Sequence, residues 1–163
     1  MIKPIYLYGF MGCGKSYIAK KSGLDFIDLD EYIVRLKGIE IAEIFVKYSE
    51  QYFRELELAA LKELNVPLVS LGGGALKTPE TAKYAKENAV VIFIDTPFEV
   101  CCKRIKIDGL HRRPLAENKT KEGLFELYNS RLPHYRNVAD YIVKGEEESL
   151  KLIMAETGKT ILP

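Results

Sequence analysis

The segment Gly9-Phe10-Met11-Gly12-Cys13-Gly14-Lys15-Ser16 constrains this chain more than any other feature. It has a glycine, four residues and then Gly-Lys-Ser, and it lies between the apolar run Ile2 to Tyr8 and a helix-forming stretch from Lys15. That is the pattern of a phosphate-binding loop. Glycines let successive backbone N–H groups turn toward one anion, and the helix that follows adds its positive N-terminal end. In such a loop Lys15 reaches the β- and γ-phosphates of ATP and the Ser16 hydroxyl ligates Mg²⁺. Gly12, Cys13, Gly14 and Tyr17 complete the expected nucleotide contacts. Cys13 reads as small filler, although a helix N-terminus would also lower the pKa of its thiol.

The rest of the chain agrees with a single cytoplasmic domain over residues 1–163. Its net charge of +1 leaves no broad basic field for nucleic acid or anionic lipid. No apolar run approaches a bilayer's width, and the first residues turn glycine-rich too soon for a signal peptide. Cys13, Cys101 and Cys102 are odd in number, and two are adjacent, so they read as reduced thiols.

Apolar runs alternate with helix-period segments, which predicts an α/β domain on a largely parallel sheet. Strands are expected at 2–8, 26–28, 68–71, 90–95 and 140–143. Helices are expected at 15–22, 30–36, 40–48, 49–64, from Pro79, from Pro97 to about 107, at 122–135 and at 147–156. Thr78-Pro79-Glu80 supplies an N-cap, a first-turn proline and a carboxylate. Thr96-Pro97-Phe98-Glu99 predicts the same with a full capping box. In the helix at 49–64, Tyr52, Phe53, Leu56, Ala59 and Ala60 mark the expected apolar side.

A phosphate loop alone does not choose among kinases, GTPases and larger ATPases. The chain lacks the guanine-reading Asn-Lys-x-Asp signature and is short for an ATPase with an appended helical lid. A small-molecule kinase fits best. Asp28 and Asp30 close the second strand at the sheet edge where ligands of open α/β folds bind. One carboxylate could hold a water of the Mg²⁺ shell and the other take a proton from an acceptor hydroxyl. The same pair would also serve as a turn and helix cap. Arg54 and Glu57, at i and i+3, are a surface ion pair by default or a pre-aimed fork for a carboxylate. Gly72-Gly73-Gly74 would let backbone approach a ligand, or simply turn. The loop around His111-Arg112-Arg113-Pro114 could be a lid over about residues 108–121. Arg131 lies on a late helix that Pro133 is expected to disturb. His111 and His134 read as bystanders.

In order and spacing these pieces resemble the shikimate kinase family over nearly the whole chain. The resemblance rests on the phosphate loop, Asp28-Leu29-Asp30, Ile41-Ala42-Glu43-Ile44-Phe45, Phe53-Arg54-x-x-Glu57, Gly72-Gly73-Gly74, Arg113-Pro114-Leu115 and Arg131-x-Pro133-x-Tyr135. It implies a three-layer fold like the nucleoside monophosphate kinases, with a five-stranded parallel sheet, a substrate-binding helical region at about 30–64 and a lid. It also implies ATP- and Mg²⁺-dependent phosphorylation of the 3-hydroxyl of shikimate. By position, Asp30 would bind shikimate hydroxyls and act as base, and Asp28 would support Mg²⁺ through water. Arg54 and Arg131 would clamp the carboxylate beside Gly73 and Gly74, and Arg113 would reach the phosphates from the lid. The chain departs from the family in a first helix about one turn shorter (~4 residues at 3.6 per turn), in Tyr17 where Thr or Ser is usual, and in leaving open whether Arg104 or Lys106 stacks on adenine. Residues 144–148 would border the same base. The expected partner is small-molecule shikimate and the expected state a monomer. The rival readings are a kinase of another small acceptor such as gluconate, and a regulatory nucleotide-binding module without transfer activity.

Overall fold

Five short strands, β1 (Ile5–Tyr8), β2 (Phe26–Asp28), β3 (Leu68–Ser70), β4 (Val90–Ile94) and β5 (Tyr141–Val143), form one parallel sheet. The structure is a computed structural model and describes residues 2–108 and 120–159. Strand order is β2-β3-β1-β4-β5. Ile5 of β1 pairs with Leu68 on one side and with Val90 on the other, so β1 is the central strand. All four of its residues are buried. Successive strand side chains point to opposite faces, so burial of all four requires cover on both faces of the sheet. The helices supply it: α1 (Lys15–Lys21), α2 (Leu29–Lys37), α3 (Ile41–Lys47), α4 (Glu50–Glu63), α5 (Pro79–Asn88), α6 (Phe98–Asp108), α7 (Lys121–Val138) and α8 (Gly145–Thr157). No helix among the described residues is long and apolar enough to cross a membrane.

From β1 the chain goes to the edge strand β2, returns to β3 beside β1, and then crosses to β4 and β5 on the other side, so the order reverses at β1 and the parallel strands bring their carboxyl ends to one edge of the sheet. That is where open α/β sheets bind ligands. The loops that leave β1, β3 and β4 are 9–14, 71–78 and 95–97, while β2 passes directly into α2.

Local signals are spent differently from expectation in three places. Thr78 caps α5 as foreseen, accepting from Thr81 N. Thr96 does not cap α6. The first turn closes on the Pro97 carbonyl, which accepts from Cys101 N at 3.1 Å, and the helix begins at Phe98. The Thr96 hydroxyl instead donates to the Cys13 carbonyl at 2.9 Å, tying β4's end to the phosphate loop. Pro133 does not end α7, which continues to Val138. Proline leaves the Asn129 carbonyl without its helical donor. Tyr135, fully buried against Tyr8 and Phe93, anchors the helix beyond it. On α4 the buried residues are Phe53, Arg54, Glu57, Ala60 and Leu61. Ala59 faces solvent, and the buried face includes two charged groups in place of the purely apolar side expected.

Candidate active site

The phosphate loop starts one residue beyond β1 and curls into the N-terminus of α1. Gly12 has φ +79°, and a Cβ there would sit 2.6 Å from the Cys101 carbonyl oxygen, so α6 backbone fixes that position as glycine. Gly14 is the N-cap of α1 at φ +105°. Lys15 arches back over the loop and donates to the Gly9 carbonyl at 2.8 Å and the Phe10 carbonyl at 3.2 Å. Its ammonium is thereby held above the ring of loop amides. Cys13 is buried, with its Sγ 3.6 Å from Lys15 Nζ.

Ser16 follows on the first turn of α1 and donates to Asp28 Oδ2 at 2.9 Å. Asp28 Oδ1 accepts from Glu31 N at 3.1 Å, so this residue is also the N-cap of α2. The capping expected of this pair is done by Asp28, and its other carboxylate oxygen is taken up by Ser16. The two aspartates do not share an extended chain, because α2 begins at Leu29 and places Asp30 in its first turn. Helix N-terminal partial charge favours a carboxylate at that position.

Asp30, Arg54 and Arg131 come from three different helices and meet at one turn. A Cβ on Gly72 would lie 2.8 Å from Asp30 Oδ1, one on Gly73 3.1 Å from Arg131 Nη1, and one on Gly74 2.6 Å from Arg54 Nη2. None of the three glycines has positive φ. Their role is therefore spatial: each leaves room for the working end of a different side chain. From the sequence this turn was open to a ligand's approach or to a simple bend.

Arg54 is almost entirely buried. It donates to Glu57 Oε1 at 2.7 Å and to Glu50 Oε1 at 3.2 Å, and Glu50 also pairs with Lys77 at 3.4 Å. Burial works against the guanidinium charge, but Glu57 and Glu50 outweigh it and hold the arginine pKa above its ordinary value. Burial pushes the Glu57 carboxyl up to about 8, with Asp30 and Glu50 adding to the shift and Arg54 opposing it. Glu50 and Lys77 were missed in the sequence; the i,i+4 spacing of Glu50 and Arg54 was the available signal. Arg54 Nε and Arg131 Nη1 are buried and have no hydrogen-bond partner among the described residues.

Lys15, Ser16, Tyr17, Asp28, Asp30, Arg54, Gly73, Gly74 and Arg131 all line one cavity of about 810 Å³. A second cavity of about 430 Å³ adjoins the loop from the other side, between Tyr17 and Ile18 of α1, Val100 and Arg104 of α6 and the segment 144–146. Gly14, Tyr17 and Arg104 border both. Arg104, not Lys106, reaches the phosphate loop, where it donates to the Gly12 carbonyl at 3.2 Å. Arg113, His111 and the remainder of the expected lid at 109–119 lie outside the described residues. His134 does have a partner: its Nε2 lies 3.0 Å from the Tyr8 hydroxyl.

A phosphate cradle, a hard-oxygen pair beside it, and a carboxylate with two arginines converging across one cleft define a P-loop kinase of a small acidic acceptor. Comparison with known proteins narrows this class. The family model described as shikimate kinase matches residues 11–162. A shikimate kinase of Staphylococcus aureus (strain JH9) is 39% identical over 142 residues, covering 83% of this chain and 80% of that protein. The structure of shikimate kinase from Acinetobacter baumannii in complex with shikimate superposes with a TM-score of 0.85 at 30% identity, covering 99% of this chain and 97% of that one. For shikimate kinase from Bacteroides thetaiotaomicron the TM-score is 0.81 at 26% identity, covering 96% and 99%. The chain belongs to the shikimate kinase family, ATP-dependent phosphotransferases that act on the 3-hydroxyl of shikimate.

Proposed function

We propose that this chain performs the family's transfer with Asp30 as general base, Lys15 as the cation on the transferred phosphoryl group, and Arg54 with Arg131 as the fork for the shikimate carboxylate. The observation that carries this reading is the glycine turn, against which all three acceptor-side groups are packed beside Lys15. Two arginines with buried, unpartnered N–H groups suit a planar carboxylate, which accepts at both oxygens. Gly73 and Gly74 backbone flanks the ring. Asp30 accepts hydrogen bonds from the ring hydroxyls and takes the proton of the attacking one as its O–P bond to the γ-phosphoryl group forms and the bond from that phosphorus to the β–γ bridging oxygen breaks, releasing ADP. The loop amides and Lys15 bind the terminal phosphate and neutralise the charge that develops on it.

Ser16 and Asp28 offer a hydroxyl and a carboxylate 2.9 Å apart, a hard-oxygen set that suits Mg²⁺ held mainly by phosphates and water. The described residues contain no cluster of three or more acidic, His or Cys side chains that could hold a metal. When bound, Mg²⁺ would supply neutralisation of the nucleotide's phosphate charge. Ser16 would ligate it directly and Asp28 through water. On the nucleotide side, Tyr17, Arg104 and residues 144–146 border the adenine. Arg113 is assigned to the phosphates from the lid. Residues of about 30–64 form the substrate-binding helical region of a single domain, which we take to work as a cytoplasmic monomer.

The deciding experiment is ADP formation with a panel of shikimate, gluconate and nucleoside monophosphates. Only shikimate should stimulate it; turnover with gluconate alone would reassign the acceptor. In the same assay Arg131→Ala should raise KM for shikimate by about 10²-fold, as loss of one partner from a desolvated charge pair does, with KM for ATP little changed. Gly74→Ala tests the spatial role of the turn. Its Cβ would displace an arginine locked between Glu57 and Glu50, and misplacement of that order costs about 10- to 100-fold in shikimate kcat/KM. An unchanged value would mean that Arg54 does not touch the acceptor.

A further inference from the structure

Arg131, His134 and Tyr135 lie at i, i+3 and i+4 on α7, so they share one face of the helix. Two of them are fastened to the glycine turn. The Tyr135 hydroxyl donates to the Gly73 carbonyl at 2.7 Å. His134 is joined through Tyr8, the last residue of β1, whose hydroxyl accepts from Leu76 N at 3.2 Å and meets His134 Nε2 at 3.0 Å. One fastening falls on Gly73 itself, the residue against which Arg131 Nη1 rests, and the other on Leu76, three residues further along the turn.

Pairing every buried proton gives the second link one direction. The Tyr8 oxygen accepts from Leu76 N, and among the described residues His134 Nε2 is the other group within hydrogen-bond distance of the hydroxyl, so donation to Nε2 is the arrangement that leaves the buried phenol proton with a partner. His134 must then be neutral, with its own proton on Nδ1. Tyr8 is fully buried, so its hydroxyl has no solvent to turn to. A protonated His134 would present a second N–H to the same oxygen and strand the phenol proton, and it would add a cation beside Arg131.

We infer that His134 is a positioning residue for the acceptor side: as a neutral hydrogen-bond acceptor for Tyr8 it holds α7, and with it Arg131, in register with the glycine turn. The inference rests on the reading of Arg131 as a carboxylate clamp. The surroundings keep the working form in place near neutrality, because burial and then the Arg131 guanidinium hold the His134 pKa below its ordinary value. The other titratable or charged groups near this link are Tyr135 on the same helix and Tyr8 on β1, with Glu57 and Arg54 of α4 acting on Tyr8. Glu57 titrates in the same neighbourhood, so the test must separate its contribution from that of His134.

The test is KM for shikimate and for ATP as a function of pH in the intact enzyme and in His134→Gln, His134→Leu and Tyr8→Phe. Glutamine can still accept from Tyr8 but does not titrate. In the wild type, KM for shikimate should rise about tenfold from about pH 7 to about pH 5, with KM for ATP nearly level, the size of one buried hydrogen bond left unmade. His134→Gln should keep the neutral-pH KM and lose the part of the acid rise due to His134. His134→Leu and Tyr8→Phe should show raised KM at every pH. The inference falls if His134→Gln retains the full acid rise, or if His134→Leu binds shikimate as the wild type does. Imidazole ¹⁵N resonances give a check independent of activity: an Nε2–H tautomer at neutral pH would overturn the Tyr8 link. If Arg131→Ala leaves KM for shikimate unchanged, the clamp reading fails by itself, whatever the tautomer.

Discussion

Asp30→Asn is expected to lower kcat by about 10²–10⁴-fold, the range for loss of a positioned general base, with KM for ATP nearly unaltered. Asparagine has the same shape, so the first turn of α2 and the packing against Gly72 stay as they are. Only the capacity to take the proton is lost. Single-turnover measurements with saturating shikimate would separate this from an effect on binding. If the chemical step keeps its rate, Asp30 is a binding group and another acceptor of the proton must be sought.

Lys15→Met should reduce kcat/KM for ATP by about 10²–10³-fold or more, since one preorganised cation is removed from the developing phosphoryl charge. The residue has a second duty that this variant also exposes. Its ammonium donates to the carbonyls of Gly9 and Phe10, so removal leaves the curl of the loop without those ties. A thermal melt taken beside the kinetics divides the two duties. A large kinetic loss with little change in Tm assigns the effect to charge; a parallel fall in both assigns it to loop shape. A variant as fast as the wild type would remove the loop from the mechanism altogether.

Local chemistry was legible in the sequence wherever it depended on neighbours along the chain. The phosphate loop, the start of α1 at Lys15, β2 at Phe26–Asp28 and the Thr78 cap of α5 all follow from short-range pattern. Strand order β2-β3-β1-β4-β5 does not, since alternation of strands and helices fits several orders. Thr96 was misread because its hydroxyl goes to Cys13, far away in sequence. His134 was set aside for the same reason, as its partner Tyr8 is 126 residues away. Arg54 and Glu57 were read as a surface pair by default because isolated charges usually belong to solvent. The structure buries them together on the face of α4. Family resemblance, not periodicity, gathered Asp30, Arg54 and Arg131 into one site. The reason for three glycines in a row became visible only once all three helices were in place.

The two cavities share Gly14, Tyr17 and Arg104 as common walls. Arg104 and Tyr17 are exposed, long side chains with rotamer freedom to lose. If both substrates order these two side chains, whichever arrives first bears most of that cost, and the saving left to the second is symmetrical by thermodynamic necessity: nucleotide would then tighten the grip on acceptor by the same factor as acceptor tightens it on nucleotide.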